Sequence, residues 1–164
     1  MKDFKIRIAE PTDTTLILDF IKCLAEYENL SDLVVASESL IKEAFFENSY
    51  ANCIIGEYFG VPAAFGVYFF TFSTFLCSPS LYVEDIFVKE KYRGTGIGTA
   101  IFYFLASQAL KKNCKRLELA VLNWNEQAIN FYKKLGGYPL DEWSLCRFNK
   151  DALIKLSKKW VSCE

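Results

Sequence analysis

The chain has 164 residues, of which 52% are hydrophobic and 16% aromatic, a composition that excludes a disordered protein. Nineteen lysines and arginines nearly balance twenty acidic residues, so the sequence lacks the concentrated basic charge of a nucleic-acid-binding protein. Histidine is absent, which excludes Ser-His-Asp and Cys-His catalysis and leaves proton transfer to Glu, Asp, Lys, Tyr, Cys or a positioned water.

The hydrophobic pattern alternates between the periods of strands and helices along the chain. In chain order it predicts a strand at 4–9, helices from 13 to about 27 and from 37 to about 46, strands at 53–58, 63–71 and 81–89, a helix at about 99–111, a strand at 116–121, a helix at 125–135, a hairpin at 138–148 and a helix at 151–160. Thr12 or Asp13 would cap the first helix and Ser37 the second. This order predicts one α/β domain over residues 1–164, a mixed sheet with helices on both faces.

Neither a membrane span nor an export signal is indicated. Residues 58–83 carry no charge, but two prolines and many Phe, Tyr and Val residues favour two strands joined by a turn. The first five residues lack the apolar core of a signal peptide. The six cysteines are widely spaced without a C-x-x-C pair, so we expect reduced, mostly buried thiols in a cytoplasmic protein.

A glycine-rich loop, Arg93-Gly94-Thr95-Gly96-Ile97-Gly98, lies between a predicted strand and a predicted helix. Glycines let backbone N–H groups turn toward a ligand, and the helix N-terminus adds partial positive charge, so the loop suits a diphosphate. Its spacing differs from a P-loop, which needs a following Lys, and from the G-x-G-x-x-G dinucleotide motif. From the glycines alone, a tight turn without a ligand is an equal alternative.

Two motifs resemble those of the GNAT superfamily of acyl-CoA-dependent N-acetyltransferases. The loop is similar to its R/Q-x-x-G-x-G/A motif, and Trp124–Tyr132 with Gly136 resembles W-N-x-x-A-I-x-F-Y-x-x-x-G. More narrowly, residues 81–88 (LYVEDIFV) and 25–28 (AEYE) resemble motifs of the spermidine/spermine (diamine) acetyltransferase branch. The resemblance covers nearly the whole chain. It implies the GNAT fold, acetyl-CoA as co-substrate without a metal, a small amine as acceptor, and a homodimer.

The resemblance also implies that acetyl-CoA lies between two splayed parallel strands. Backbone groups of Ile86, Phe87 and Val88 would pair with the pantetheine, and one N–H there would polarise the thioester carbonyl. Asn125 would cap its helix and hydrogen-bond the cofactor. The diphosphate would be held by Arg93, Gly94, Thr95, Gly96, Ile97, Gly98 and Thr99. The residues alone also fit sheet core at 86–88 and a cap without ligand contact at Asn125.

Tyr132 is implied as the general acid that protonates the CoA thiolate, and Glu84 as the base, directly or through water. A buried structural ion pair is the alternative for Glu84. Because Glu84 and Asp85 are neighbours in an alternating strand, we expect one to be buried and the other solvated. Tyr27 and Glu28 resemble the substrate-contacting pair of the branch, with a solvated helix end as the alternative.

One loop departs from the polyamine enzymes, which carry an acidic residue and a Trp before the strand at 81–89. Here Thr71–Leu76 contains neither. A lysine analogue or a small diamine is therefore almost as favoured as a polyamine. We expect direct transfer without a covalent enzyme intermediate, and no nucleic-acid or membrane partner. A protein or peptide N-acetyltransferase stays open, as does a non-catalytic acyl-CoA sensor, although the presence of both Tyr132 and Glu84 argues against a sensor.

Overall fold

A computed structural model describes residues 3–160 of the chain. The chain divides into two compact units, Met1–Leu122 and Asn123–Glu164, each with its own internal packing. A single domain over residues 1–164 stays a prediction.

The first unit contains all five strands of the described residues. Its elements in chain order are β1 (Phe4–Ile8), a 3₁₀ turn (Pro11–Asp13), α1 (Thr14–Tyr27), a 3₁₀ turn (Ser31–Leu33), α2 (Glu38–Ile41) continuing as a π-helix (Lys42–Glu47), β2 (Asn52–Tyr58), β3 (Val61–Ser73), β4 (Ser78–Val88), a 3₁₀ turn (Glu90–Tyr92), α3 (Ile97–Lys111) and β5 (Leu117–Leu119). Every helix and strand that the sequence predicts in this unit is present, with ends shifted by a few residues. The largest shift is at β4, which begins three residues earlier than predicted.

The five strands form one mixed sheet in the order β1-β2-β3-β4-β5. The pairs β1–β2, β2–β3 and β3–β4 are antiparallel, whereas β5 runs parallel to β4. A parallel neighbour requires a long crossover connection, and α3 supplies it. This arrangement confirms the predicted mixed α/β sheet.

Apolar side chains pack on both faces of the sheet. On one face, Ile101 and Leu105 of α3 are fully buried in a cluster with Ile54 and Leu81 of the sheet. On the other face, α1 buries Phe20, whose ring stacks on Phe65 with the centroids 5.1 Å apart. Each fully buried side chain of this size contributes about 1.5–3 kcal/mol, so both faces hold the central strands firmly.

Helix caps in the first unit follow the prediction in one case and not in the other. Ser37 caps α2, because its Oγ accepts the Leu40 N–H at 3.3 Å. The predicted side-chain cap of α1 is wrong, since Asp13 makes no cap hydrogen bond. Its carboxylate instead accepts two bonds from the Arg7 guanidinium, at 2.6 and 2.8 Å, and the Glu10 N–H at 2.8 Å. The Arg7 hydrogen bonds hold the pKa of Asp13 below its usual value.

The second unit contains α4 (Glu126–Lys134) and α5 (Lys150–Ser157). Asn125 caps α4 as predicted, with its Oδ1 accepting the Ala128 N–H at 3.1 Å, and Gly136 follows the helix at a φ of +92°. The predicted hairpin at 138–148 is wrong, because these residues are exposed and form neither strand nor helix. An alternating pattern becomes a strand only where a neighbouring strand pairs with its N–H and C=O groups, and the described part of this unit offers none.

The described cysteines carry free thiols. Cys53 and Cys114 are buried, but Cys77 and Cys146 are exposed, so the expectation of mostly buried thiols is wrong for these two. Cys163 lies outside the described residues. Between residues 3 and 160, no helix combines the length and the hydrophobicity needed to span a bilayer. The same residues contain no group of three Cys, Asp or Glu side chains arranged to hold a metal ion.

Candidate active site

Strands β4 and β5 separate halfway along β4. On its inner side, β4 pairs with β3 from Ser78 to Val88. On its outer side, β5 pairs only with residues 81–83, so within residues 3–160 the outer edge of residues 84–88 has no partner in β5. An unpaired edge presents backbone N–H and C=O groups that an extended ligand can bind as an added strand.

The register decides which backbone groups face this open edge. The Lys89 N–H donates to the Ala63 carbonyl of β3 at 2.9 Å. Because successive residues of an antiparallel ladder face the partner and then turn away, Val88 and Ile86 direct their N–H and C=O groups outward. Phe87 faces β3 instead, and its side chain is buried against α1. Of the three predicted backbone contacts, the outward positions are therefore Ile86 and Val88.

The glycine loop leads from this edge into α3. Gly94 and Gly96 have φ values of +75° and +89°, in the left-handed region that favours glycine. The first helical hydrogen bond runs from the Ala100 N–H to the Gly96 carbonyl, at 3.0 Å. The amides of residues 97–99 precede it and so have no carbonyl partner within the helix. Residues 94–96 are exposed and lead directly into the N-terminus of α3, a position where anions bind.

A β-bulge separates the two acidic residues of β4. Tyr68 pairs with Val83 and Val67 pairs with Asp85, which leaves Glu84 as the extra residue. Glu84 is exposed, whereas Asp85 is partly buried on the sheet face that α1 covers. Asp85 is thus the more buried of the two and Glu84 is solvated, in line with the expectation. The exposure of Glu84 contradicts the alternative of a buried ion pair.

Three carboxylates act on one another at this bulge. Burial raises the pKa of Asp85 to about 6, and the negative charges of Glu84 and Glu28 add to the effect. Burial also raises the pKa of Glu28, the residue that follows α1. Asp85 was not among the predicted site residues. Its position next to Glu84 was the only available signal, because a bulge leaves no mark in the local sequence pattern.

Tyr27 and Glu28 lie at the carboxyl end of α1, beside β4. The Tyr27 ring centroid is 6.4 Å from that of Phe87 and 4.5 Å from the guanidinium carbon of Arg93. Glu28 is half-buried, which argues against a fully solvated helix end. The structure therefore brings Tyr27, Glu28, Glu84 and the glycine loop together around residues 84–88 of β4.

The remaining two predicted site residues belong to the second unit. Asn125 is buried as the cap of α4. Tyr132 lies on α4 and is half-buried, with its ring centroid 5.6 Å from that of Phe131. Their predicted contacts with acetyl-CoA stay predictions.

Comparison with known proteins identifies the family. Residues 20–137 match the model of the "Acetyltransferase (GNAT) family". A thialysine N-epsilon-acetyltransferase of Bos taurus is 40% identical over 94% of this chain and 97% of its own length. An L-ornithine N5-acetyltransferase of Arabidopsis thaliana is 30% identical over 94% of this chain and 88% of its own. The human spermidine/spermine N(1)-acetyltransferase-like protein 1 is 32% identical over 96% of this chain, which corresponds to 24% of its own length.

Solved structures agree with the sequence relatives. An integron cassette protein from V. cholerae superposes with a TM-score of 0.79 at 29% identity, over 96% of this chain and 99% of that chain. The splayed strands, the glycine loop and the matching relatives are consistent with one another. The chain belongs to the GNAT acetyltransferase family, in the branch of the diamine acetyltransferases, and is an acetyl-CoA-dependent N-acetyltransferase.

Proposed function

We propose that this enzyme acetylates the side-chain amine of a lysine analogue, or a short diamine, in preference to a long polyamine. The observation that carries the proposal is the group of three carboxylates, Glu28, Glu84 and Asp85, beside the open edge of β4. Clustered carboxylates attract a protonated amine and stabilise its positive charge.

The same carboxylates suit the proton transfer that the reaction needs. An amine arrives protonated and must lose a proton before its nitrogen attacks the thioester. With a pKa of about 6, Asp85 is mostly ionised at pH 7 and accepts a proton more readily than an ordinary aspartate. Glu84, exposed at the bulge, is the base that the resemblance implies and would act directly or through water. We assign the proton acceptor to this acidic pair.

The hairpin between β3 and β4 supports a short acceptor. Its segment Thr71–Leu76 has no carboxylate, and it exposes the aromatic side chains of Phe72 and Phe75. The distant ammonium groups of a long polyamine would find no acidic partner there. The relatives named for thialysine and for L-ornithine also favour a short acceptor, because both acceptors are amino acids with one side-chain amine.

For acetyl-CoA we propose the open edge and the glycine loop. The outward N–H and C=O groups of Ile86 and Val88 would pair with the pantetheine, and the amides of residues 94–99 would hold the diphosphate. Acetyl-CoA bound along this edge would bring its thioester toward Glu84 and Asp85. The thioester carbonyl would accept a hydrogen bond from an outward N–H, which stabilises the oxyanion formed by amine attack.

We propose Tyr132 as the acid that protonates the departing CoA thiolate, and Asn125 as a further cofactor contact, on the strength of the W-N-x-x-A-I-x-F-Y motif. A homodimer and a cytoplasmic location are also proposed, because the branch resemblance implies the first and the free cysteines fit the second.

The first prediction concerns the choice of acceptor. A panel of amines, followed by release of the CoA thiol, should give a higher kcat/KM for thialysine or a short diamine than for spermine. Glu28→Gln should raise the KM of thialysine by about 5-fold with little change in kcat. The substitution removes the attraction between the carboxylate and the ammonium group of the acceptor, which contributes about 1 kcal/mol. Glu26→Gln, an exposed neighbour on α1, is the control and should leave KM unchanged. Preference for spermine together with insensitivity to Glu28→Gln would contradict the proposal.

The second prediction concerns Asp85. In the wild type, kcat/KM should fall below pH 6 as Asp85 becomes protonated, and Asp85→Asn should abolish this inflection. Because burial raises the pKa of Asp85 from 3.8 to about 6, the free energy of unfolding falls as the pH rises from about 4 to about 6 and stays lowered at higher pH. Asp85→Asn should therefore raise the free energy of unfolding at pH 8, while Asp19→Asn, an exposed change on α1, should not. Retention of the inflection in Asp85→Asn and its loss in Glu84→Gln would assign the base to Glu84.

The third prediction concerns the glycine loop. Acetyl-CoA at 100 times its Kd should stabilise the wild type by about 2.7 kcal/mol, which is about 5–10 °C in Tm for a chain of this size. Gly96→Asp should lose this shift, because it places a carboxylate beside the diphosphate. Gly60→Asp is the matched control, since Gly60 also has a positive φ, of +75°, but lies in the β2–β3 turn. An undiminished shift in Gly96→Asp would show that the loop is only a turn.

The fourth prediction concerns Tyr132. Tyr132→Phe removes one hydroxyl and keeps the ring, so we expect turnover to fall on the order of 100-fold while the Kd of acetyl-CoA changes little. Tyr138→Phe, an exposed tyrosine of the same unit, should retain full turnover. Wild-type rates for Tyr132→Phe in a single-turnover measurement, which isolates chemistry from product release, would remove Tyr132 from the mechanism.

A further inference from the structure

The side chain of Arg93 reaches from the start of the glycine loop to the end of α1. Its Nε–H donates to the Val88 carbonyl at 3.0 Å, on the open edge of β4. Its guanidinium carbon lies 4.5 Å from the ring centroid of Tyr27 and 5.5 Å from that of Phe87. One side chain thus contacts the proposed acetyl-CoA edge and the proposed acceptor residue.

These contacts are suited to fixing the orientation of Tyr27. A planar guanidinium stacks on an aromatic face and donates a directed hydrogen bond, which a Lys ammonium, as a point charge, does not reproduce. Tyr27 is the last residue of α1, and Glu28 follows it directly. Arg93 therefore holds the end of α1, which carries Tyr27 and Glu28, against residues 84–88 of β4.

We propose that Arg93 is a positioning residue that couples acetyl-CoA binding at the glycine loop to the order of the acceptor-side end of α1. The inference rests on the proposed function, in which the loop amides hold the diphosphate and Glu28 meets the amine. When a ligand fixes the backbone of residues 94–99, the adjoining Arg93 is fixed with it, and its ring contact restrains Tyr27. Because coupling between binding sites is reciprocal, each substrate binds more tightly when the other is present.

The direct test is amide hydrogen exchange, read by mass spectrometry with and without saturating acetyl-CoA. In the wild type, acetyl-CoA should slow exchange both in residues 94–99 and in residues 24–30, the latter by about 10-fold. Arg93→Gln should keep the first effect and lose the second. Lys91→Gln is the matched control, because the Lys91 ammonium lies 4.9 Å over a ring of its own 3₁₀ turn, that of Tyr92, and its loss should change neither effect.

Substitution of Tyr27 separates the ring from its hydroxyl. Tyr27→Phe keeps the ring and should retain the acetyl-CoA-linked protection of residues 24–30, whereas Tyr27→Leu should lose it. Loss of the protection in Tyr27→Phe would show that the hydroxyl, and not the contact with Arg93, transmits the effect, and it would overturn the proposal.

Kinetics provide an independent readout. With thialysine as acceptor and acetyl-CoA at saturation, Arg93→Gln should raise the acceptor KM by about 10-fold, while the Kd of acetyl-CoA by calorimetry changes by less than about 3-fold. The opposite split, with a weakened acetyl-CoA Kd and an unchanged acceptor KM, would make Arg93 a diphosphate ligand and overturn the inference. Equal protection of residues 24–30 in Arg93→Gln and in the wild type would also overturn it. A wild type that binds no acetyl-CoA would contradict the proposed function, and this inference with it.

Discussion

The whole site depends on one strand that is hydrogen-bonded to β3 along one edge and, within residues 3–160, left by β5 along half of the other. Strand β4 pairs with β3 over its full length, but with β5 only up to Val83. An open edge in a sheet is costly unless its N–H and C=O groups find partners. Arg93 satisfies one outward carbonyl, that of Val88, and a ligand lying along the edge satisfies others. Apolar side chains on both faces hold β4 in place, so the edge is ordered before any ligand arrives.

The bulge at Glu84 determines which chemistry lies beside that edge. In an unbroken strand, Val83 and Asp85 would point to the same face of the sheet, because side chains repeat every second residue. Val83 packs against α3, and an Asp85 on that face would be buried among apolar side chains. The extra residue reverses the alternation, so Asp85 faces α1 and comes under the influence of Glu28. A single inserted residue thus brings two carboxylates of one strand and one of a helix end to the same place.

The features that the sequence predicted correctly are those with local causes. Glycines at positive φ, the Ser37 and Asn125 caps and the periodicity of α1 and α3 depend on neighbouring residues, and the structure contains all of them. Most of the features missed depend on partners far along the chain; the α1 cap is the exception, because Asp13 binds the nearby Arg7 instead. The bulge that singles out Asp85 appears only in the pairing with β3, and no strand of residues 3–160 pairs with the alternating residues 138–148. The exposure of Cys77 follows from its place in the β3–β4 turn rather than from its hydrophobicity.

In the proposed site, backbone groups bind acetyl-CoA and side chains bind the acceptor amine, so the range of acceptors can change independently of the cofactor. Apart from Asn125, the proposed acetyl-CoA contacts come from backbone groups of β4 and of the glycine loop, which no side-chain replacement elsewhere alters directly. The proposed acceptor contacts come from side chains at the end of α1 and at the bulge, whereas the β3–β4 hairpin supplies no carboxylate. Acceptor choice can therefore change, by removing the charge at Glu28 or by adding one at the hairpin tip, while the cofactor edge stays intact. Arg93 contacts both sets, so in the proposed coupling a change there weakens acceptor binding to the acetyl-CoA complex and leaves the cofactor edge itself in place.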